Sequence, residues 1–355
     1  MLILRFWKKM KNSTQPTMKD VAREAGVSLG TVSRVFNGFS VGEDYRERVK
    51  QAAARLNYRV NNYARGLKTN RTKCIGLLMP SMRYPFFAAL IDELTACLMH
   101  RGYLTHVMIT NFDPEAEQKS LTLVEQNKVD GIIALTYRPD IHTDADVPVV
   151  SIDRQLGSQI PCVTSDNFRG GQMAAEKLIA LGCRKLLFLR IGPVIRSEVD
   201  QRGPGFEDVC RRTGTAFESL IVNDEETEAP IYRFLNAHLH NGSFDFDGIF
   251  CNTDGLARRV CSWLEENGVR IPDAVQVIGY DGIINFATGR YVCSTIVQPL
   301  AEMAQKAVNL LLSPDGSPRD CVYRLPVKYV PGGTTSDAPP AIGDDRVYNP
   351  FRSAE

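Results

Sequence analysis

Residues 17–38 read TMKDVAREAGVSLGTVSRVFNG, two short helical patterns separated by a glycine. An acid three residues after Thr17 is the pattern of a capped helix start and predicts a helix to about Ala25. Gly26 interrupts this helix, and Ser28 is well placed to cap a second one that ends at the Asn-Gly pair. Two short helices joined by a tight turn that contains glycine are typical of a helix-turn-helix.

A third helix is predicted from about Glu43 to Leu56, where apolar residues recur at helical spacing.

The charge is unevenly distributed along the chain. Residues 1–73 hold 16 Lys and Arg against 5 Asp and Glu, a net +11, whereas the whole chain carries only +1 and residues 74–355 therefore carry −10. Residues 1–16 form a basic extension. A small basic head before a large acidic body favours binding to a polyanion, although a merely solvated basic end is the alternative.

The run Met18–Gly38 resembles the opening of the LacI/GalR family of transcriptional regulators, and the resemblance continues through Arg46–Val49 and Leu56–Arg59 to about residue 336. It implies a helix-turn-helix DNA-binding domain at residues 17–58, for which a purely structural three-helix unit is the alternative. It also implies that the DNA is a double-stranded, near-palindromic operator bound by a homodimer, with a higher oligomer left open.

A recognition helix places its N-terminal side chains at base edges in the major groove, which points to Leu29, Gly30 and Arg34. An arginine there can bond the O6 and N7 atoms of guanine. Small hydrogen-bonding residues suit phosphate contact, which sets register without specifying sequence. Those residues are Thr17, Ser28, Thr31, Ser33 and Asn37. For Thr17, Ser28 and Asn37, helix capping is the alternative role, and one residue can both cap a helix and contact a phosphate.

Residues 59–71 are too polar to form a core and match the hinge of the family. In the family this segment becomes helical on operator DNA, pairs with its dimer mate and wedges a leucine between base steps. Leu67 stands at that position, and Asn61 and Lys68 complete the predicted DNA contacts. Gly66 lowers the helix propensity by about 1 kcal/mol relative to alanine. An ordinary linker is the alternative.

From Cys74 onward, strand-like apolar runs alternate with helix-length amphipathic stretches, a pattern typical of parallel sheets with helices on both faces. Val129–Ile133 recurs as Phe246–Phe250, which indicates two similar units. Two such lobes create a cleft at the carboxyl ends of their strands. The predicted fold is thus an α/β core of two doubly wound parallel-sheet lobes preceded by a small all-α helix-turn-helix head.

The resemblance implies a core of the type I periplasmic-binding-protein kind, with three crossovers between its lobes. By matching, lobe one comprises residues 72–166 plus 299–323, and lobe two comprises residues 167–298 plus 324–336. The tail, residues 337–355, is rich in Pro and Asp and receives no predicted structure.

The family's effector positions fall on strand ends and loops. The matching residues are Phe86, Phe87, Asp153, Arg196, Glu198, Arg202, Phe250, Thr253 and Asp281. Carboxylates and guanidinium groups beside aromatic rings suit a polyhydroxylated small molecule, because each hydroxyl both donates and accepts hydrogen bonds. Mixed charges favour a neutral sugar over a sugar phosphate or a purine. The alternatives are lobe packing for the two phenylalanines at 86 and 87 and an interlobe ion-pair network for the charged groups.

Signatures of catalysis and metal binding are missing from the sequence. GxSxG, GxxxxGK[ST] and HExxH do not occur, and the pair His238 and His240 cannot share one helix face. We therefore expect no enzyme activity, metal or cofactor. Nine scattered cysteines without a CxxC, and no apolar run near the roughly 20 residues that cross a bilayer, fit a cytoplasmic protein without membrane contact. A ligand-responsive repressor is favoured; the rival is a free sugar-binding protein or a sugar-modifying enzyme.

Overall fold

The computed structural model describes residues 16–59, 72–126, 128–136, 147–156, 160–192, 197–223, 228–313 and 322–337. The chain divides into two compact units, residues 1–72 and 73–355. Four predicted site residues lie outside the described ranges: Asn61, Leu67, Lys68 and Arg196. Among the helices of the described ranges, none has both the length and the apolarity needed to cross a bilayer.

The first unit confirms the predicted three-helix order. Its helices are α1 (Met18–Ala25), α2 (Leu29–Phe36) and α3 (Glu43–Arg55). Gly26 ends α1 in the left-handed region at φ 62°, which a glycine adopts without steric cost. A small core of fully buried side chains joins the three helices, among them Val21, Val32, Val49 and Ala52.

The second unit alternates strands and helices. Its strands are β1 (Cys74–Met79), β2 (Leu104–Ile109), β3 (Gly131–Ala134), β4 (Val149–Ile152), β5 (Cys162–Ser165), β6 (Lys185–Gly192), β7 (Ala216–Asn223), β8 (Leu239–His240), β9 (Ser243–Phe244), β10 (Gly248–Cys251), β11 (Gln276–Asp281), β12 (Ile284–Asn285), β13 (Arg290–Tyr291), β14 (Ser294–Val297), β15 (Val322–Leu325) and β16 (Lys328–Val330). Its helices are α4 (Pro85–His100), α5 (Pro114–Gln126), α6 (Asn167–Ala180), α7 (Arg202–Thr213), α8 (Ala229–Ala237), α9 (Asp254–Glu266) and α10 (Leu300–Leu311), with a 3-10 turn at Glu198–Gln201.

Lobe one contains a six-stranded sheet in the order β15-β5-β4-β3-β1-β2, and every pairing in it is parallel. Helices α4 and α10 cover one face through residues such as Leu90, Leu94 and Val308. Helix α5 covers the other face with Leu121 and Val124. Both faces are therefore buried, as the near-continuous apolar strands require.

Lobe two contains a second six-stranded sheet in the order β16-β14-β11-β10-β6-β7. Its strands are parallel, as predicted, except for the edge strand β16, which pairs antiparallel with β14. Only Pro326 and Val327 separate β15 from β16. A connection this short cannot carry the chain back to the start of a parallel strand. Strand β16 therefore begins at the cleft edge of the lobe-two sheet and runs antiparallel to β14.

The chain crosses between the lobes three times, after β5, after β14 and after β15. The predicted boundary between residues 323 and 324 falls inside β15. Arg324 pairs with Thr164 and Leu325 with Ser165, so the lobe-one sheet extends to Leu325. The third crossover therefore lies two residues later than predicted.

Candidate functional site

The carboxyl ends of the two sheets border one cavity of about 430 Å³. Lobe one contributes the loop after β1 and the ends of β3 and β4, and lobe two contributes the ends of β6, β10 and β11. This is the position at which open α/β sheets bind ligands. The volume lies within the range of pockets that hold small molecules.

Arg202, the first residue of α7, forms the buried centre of this cavity. Its side chain is 3% exposed. Its Nε donates to Oδ1 of Asn167 at 2.8 Å, and Nη1 donates to the carbonyl of Asn252. The guanidinium carbon lies 3.6 Å from the centre of the Tyr280 ring, a cation–π contact. These contacts fix the guanidinium in one orientation before any ligand arrives.

Two carboxylates flank this guanidinium. Asp281 ends β11 and lies 3.5 Å from Nη1 of Arg202, and Gln298 Nε2 donates to it at 2.9 Å. Asp153 follows β4 and accepts a 2.7 Å hydrogen bond from the hydroxyl of Thr164. Burial raises the pKa of both carboxyls, and the positive charge of Arg202 opposes that rise. The cavity therefore offers fixed donors and acceptors side by side.

Two glycines determine how closely α6 and α7 approach. A Cβ atom on Gly171 would lie 2.0 Å from the carbonyl oxygen of Arg202, and one on Gly205 would lie 2.0 Å from that of Phe168. The two helices therefore pack backbone against backbone, which only glycine permits at these positions. This contact holds the N-terminus of α7, and with it Arg202, at the cavity.

Asp254, the first residue of α9, stabilises the loop that borders the cavity after β11. Its carboxylate is fully buried and accepts from the backbone N–H groups of Gly282 at 2.9 Å and Ile283 at 2.7 Å, and from the hydroxyl of Thr295 at 2.6 Å. Burial raises the pKa of Asp254. These bonds anchor the loop that begins at Asp281.

Six of the nine predicted effector residues line the cavity: Phe86, Phe87, Asp153, Arg202, Thr253 and Asp281. The hydroxyl of Thr253 also caps α9 by accepting from the Leu256 N–H at 3.2 Å. The rings of Phe86 and Phe87 are nearly buried as well, so they pack lobe one and border the cavity at once.

Two predicted effector residues lie elsewhere. Phe250 is fully buried in lobe two, with its ring 5.4 Å from that of Phe188 and 5.7 Å from that of Phe206. It is a core residue, because its side chain points from β10 toward α6 and α7 rather than to the strand end. Glu198 is absent from the cavity wall and instead forms an ion pair with Arg324. The interlobe ion-pair alternative describes Glu198 better than a ligand contact does.

Several cavity residues were not predicted from the sequence. They are Tyr84, Phe112, Thr136, Arg190, Asn252, Arg259 and Gln298 among others. Asn252 and Gln298 directly follow strands β10 and β14, and that position was the available signal for them. Asn252 is typical: its side chain bridges to the backbone of Ile191 on the neighbouring strand, accepting at 3.3 Å and donating at 2.9 Å.

In the first unit, the residues predicted to read bases are exposed on the surface of α2. They are Leu29, Gly30 and Arg34. Arg48 on α3 donates to the carbonyls of Ala25 at 2.8 Å and Gly26 at 3.1 Å, which fixes the turn that orients α2. The sequence did not single out this role.

Three of the five predicted phosphate-contacting residues stand at helix caps in the structure: Thr17, Ser28 and Asn37. Thr17 and Asp20 make a complete capping box at the start of α1. Ser28 Oγ accepts from the Thr31 N–H at 3.0 Å, and Asn37 Nδ2 donates to Ser33 Oγ at 3.2 Å. The capping alternative therefore holds for these three residues, and all three are exposed to solvent.

Comparison with known proteins relates the chain to regulators. The family model described as "Bacterial regulatory proteins, lacI family" matches residues 17–61, and the one described as "Periplasmic binding proteins and sugar binding domain of LacI family" matches residues 72–309. A sucrose operon repressor of Streptococcus mutans is 33% identical over 323 residues, which span 89% of this chain and 98% of that protein. A ribose operon repressor of Bacillus subtilis is 33% identical over 332 residues, 90% of this chain and 98% of that protein. A solved structure of the Lac repressor bound to ONPG in its repressed state superimposes with a TM-score of 0.77 at 25% identity, covering 91% of this chain and 100% of that one.

Proposed function

Because the chain belongs to the LacI family of bacterial regulatory proteins, we propose that it is a ligand-responsive transcriptional repressor. The observation that carries this proposal is that one chain combines an exposed recognition helix with a preformed cavity between two lobes, lined by aromatic rings and by fixed polar side chains. Neither unit alone would connect a small molecule to DNA. The repressor acts in the cytoplasm, where both its ligand and its DNA are found.

The protein binds a near-palindromic operator as a homodimer. Two symmetric half-sites require two heads at a fixed spacing, and the large second unit can hold two copies together. We assign base contacts to Leu29 and Arg34, and phosphate contacts to Thr17, Ser28 and Asn37, which cap helices at the same time. The net +11 of residues 1–73 supplies attraction to phosphate.

The effector is a sugar. Arg202, Asp281, Asn252 and Gln298 present fixed donors and acceptors, and Phe87 presents a ring. Sugars have hydroxyl edges that need both kinds of partner and C–H faces that pack on rings. A purely anionic ligand would meet Asp153 and Asp281, and a purely cationic one would meet Arg202, so a neutral polyol is the best match.

Regulation follows from the position of the cavity between the lobes. A sugar that contacts both lobes binds one lobe arrangement more tightly than another, and the difference in affinity shifts the population between them. We propose that this shift changes the spacing of the two heads in the dimer and hence the affinity for the operator. The hinge segment, residues 59–71, lies along the chain between α3 and β1.

We further propose that the chain is not an enzyme. The two buried carboxylates nearest the cavity centre are already committed within the protein. Asp153 accepts from Thr164, and Asp281 is held by Arg202 and Gln298. A general acid or base must exchange its proton with a bound substrate, and these contacts favour a fixed binding role instead.

The test combines selection of DNA with a sugar screen. The full chain is used to select duplexes from a random pool, and the enriched duplex then serves in anisotropy titrations with and without monosaccharides, disaccharides, sugar phosphates and nucleobases. We expect a near-palindromic consensus, and one sugar that changes operator affinity at least tenfold. Failure to enrich any palindrome, or an operator affinity that no sugar alters, would overturn the proposal.

Arg202→Lys provides the matched variant for this test. Lysine keeps the charge beside Asp281 but lacks the planar fork that bonds Asn167 and Asn252. We expect Arg202→Lys to bind the selected operator normally and to lose most of its sugar response. An unchanged sugar response would show that the effector site lies elsewhere.

A further inference from the structure

The cavity between the lobes has an inner polar part and an outer aromatic part, distinguished by their exposure. In the inner part, Arg202, Asn252 and Gln298 are 3–4% exposed. In the outer part, Tyr84 is 51% exposed and Phe112 is 40% exposed, although both line the same cavity. Two large rings left open to water at the mouth of a binding cavity provide an apolar surface that a ligand can cover.

The two outer rings continue an aromatic wall that starts inside the cavity. Phe86 and Phe87 have ring centres 5.6 Å apart, Phe87 and Tyr84 5.7 Å apart, and Tyr84 and Phe112 6.2 Å apart. The last pair is nearly perpendicular, at 86°. The four rings therefore form a continuous series of contacts that leads from the nearly buried Phe86 and Phe87 to the exposed Tyr84 and Phe112.

The backbone that presents Phe112 is unusual. Asn111 and Phe112 have φ values of 51° and 63°, the left-handed region that bulky side chains seldom adopt. Such conformations persist where the surrounding structure holds them in place. Here the conformation places an aromatic ring beside Tyr84 at the cavity mouth.

Lobe two supplies hydrogen-bonding groups to the same outer part. The side chains of Arg259 and Glu228 are 40% and 36% exposed, and they form an ion pair with 2.8 Å between Nε and Oε1. The hydroxyl of Tyr232 donates to the other carboxylate oxygen of Glu228 at 3.2 Å. A guanidinium and a carboxylate together serve the donor and acceptor sides of hydroxyl groups.

We propose that the outer part is a second sugar subsite, so that the effector is a disaccharide. The inner part takes one ring, and the outer part takes the second ring between the Tyr84–Phe112 wall and the Glu228–Arg259 pair. An aromatic surface suits the C–H face of the second ring, and the ion pair suits its hydroxyl edge. This inference rests on the proposed function, because the inner part must first bind a sugar.

The experiment is calorimetry on the full chain with sucrose, maltose, cellobiose and lactose, each compared with its constituent monosaccharides, and with adenosine and cytidine. We expect one disaccharide to bind at least tenfold more tightly than either constituent. Tyr84→Ala and Phe112→Asn should reduce that ratio to about one. Asparagine is chosen at position 112 because it tolerates the left-handed backbone, so the loop keeps its shape.

Two variants serve as controls. Tyr84→Phe keeps the ring and should keep the ratio. Phe286→Ala removes a ring that is 78% exposed on lobe two and does not border the cavity, and it should leave all affinities unchanged.

The subsite is overturned if a monosaccharide binds as tightly as every disaccharide that contains it, if a nucleoside binds in preference, or if Tyr84→Ala and Phe112→Asn leave the ratio intact. In the first of these cases the proposed sugar-responsive function still stands. Binding of no sugar at all would instead overturn the proposed function itself, and the subsite with it.

Discussion

Glu198 and Arg324 join the two lobes through a bidentate ion pair, with Nε to Oε2 at 3.0 Å and Nη2 to Oε1 at 3.2 Å. Arg324 lies on β15 of the lobe-one sheet, and Glu198 lies in the 3-10 turn that follows β6 of lobe two. Gln155 of lobe one donates to the same carboxylate at 3.1 Å, and the Glu198 N–H donates to the carbonyl of Asp153 at 2.9 Å. The turn that leads directly into Arg202 is therefore tied to lobe one, so lobe arrangement and ligand site are mechanically connected.

Glu198→Gln should weaken this interlobe contact. Because Arg324 is 49% exposed, we expect a loss of only about 0.2–1 kcal/mol in the free energy of unfolding. The measurement is a double-mutant cycle with Arg324→Gln in urea unfolding, repeated at high salt, where the coupling should shrink. The same substitution should alter the operator response to effector, because it shifts the balance between lobe arrangements.

The matched control is Lys119→Gln, which removes an exposed ion pair with Glu115 inside α5 alone. That variant should leave the operator response as it is. If the two substitutions at 198 and 324 were strictly additive, the pair would contribute no coupling and the interlobe role would be wrong.

Gly171→Ala should displace α7 from α6. The new methyl group would meet the backbone carbonyl of Arg202 at 2.0 Å, and a backbone atom cannot move aside as a flexible side chain can. We expect a loss of about 1–3 kcal/mol in the free energy of unfolding, the cost typical of overpacking. Effector binding should also fall, since Arg202 shifts with the helix.

Gly255→Ala is the control for this substitution. In α9 the added methyl would make only ordinary contacts, at 3.6 Å from Arg259 and 3.9 Å from Thr253. Because alanine favours a helix over glycine by up to about 1 kcal/mol, this variant should be neutral or slightly more stable. Equal destabilisation by both alanines would argue against the close helix contact.

The alternation of strands and helices and the three-helix head could be predicted from apolar periodicity and helix-capping motifs. Six cavity residues could be predicted because they match the effector positions of the family. Helix α7 could not. Its opening, Arg202-Gly203-Pro204-Gly205, has poor helix propensity and looks like a loop. The helix forms there because Gly205 packs against α6, Gly203 packs against Phe188 of β6, and proline is tolerated in a first turn, so tertiary contact outweighs local propensity.

Phe250 illustrates a second limit of prediction from sequence. All four residues of β10 are buried, because the sheet is covered on both faces. A strand of this kind has no alternation of apolar and polar residues, so its sequence does not show which side chains point to which face of the sheet. The strand-end position of Asn252 could be read from the sequence, but the burial of Phe250 between Phe188 and Phe206 required the packing of α6 and α7.

Asp254→Asn should change how stability depends on pH. Burial raises the pKa of Asp254 above its ordinary value of 3.8, so between the unfolded and folded pKa values the folded chain holds more protons than the unfolded one. Stability from this group is therefore fully present below the unfolded pKa and is lost as pH rises through the folded pKa. Asparagine keeps the acceptor for Gly282 and Ile283 without the charge, and should flatten that part of the curve.

The measurement for Asp254→Asn is urea unfolding from pH 4 to 9. Asp273→Asn, at an exposed aspartate beside Arg270, controls for a loss of charge alone. A steeper fall in stability with rising pH in Asp254→Asn than in the unsubstituted chain would contradict the expected direction.

Arg34→Ala tests whether α2 reads bases. Arg34 is exposed on α2, and within residues 16–59 no side-chain hydrogen bond or ion pair of the structure engages its guanidinium. If it bonds guanine, its removal should cost about 1–3 kcal/mol on the selected operator and relax one base position in each half-site. Arg34→Lys retains the positive charge and should keep the salt dependence of binding while losing the base preference, because lysine lacks the bidentate fork. Affinities for a set of operator duplexes substituted at each position distinguish a base contact from a phosphate contact. If Arg34→Ala weakened binding by the same factor on every duplex, Arg34 would be a phosphate contact. Base recognition by α2 would then rest on Leu29 alone.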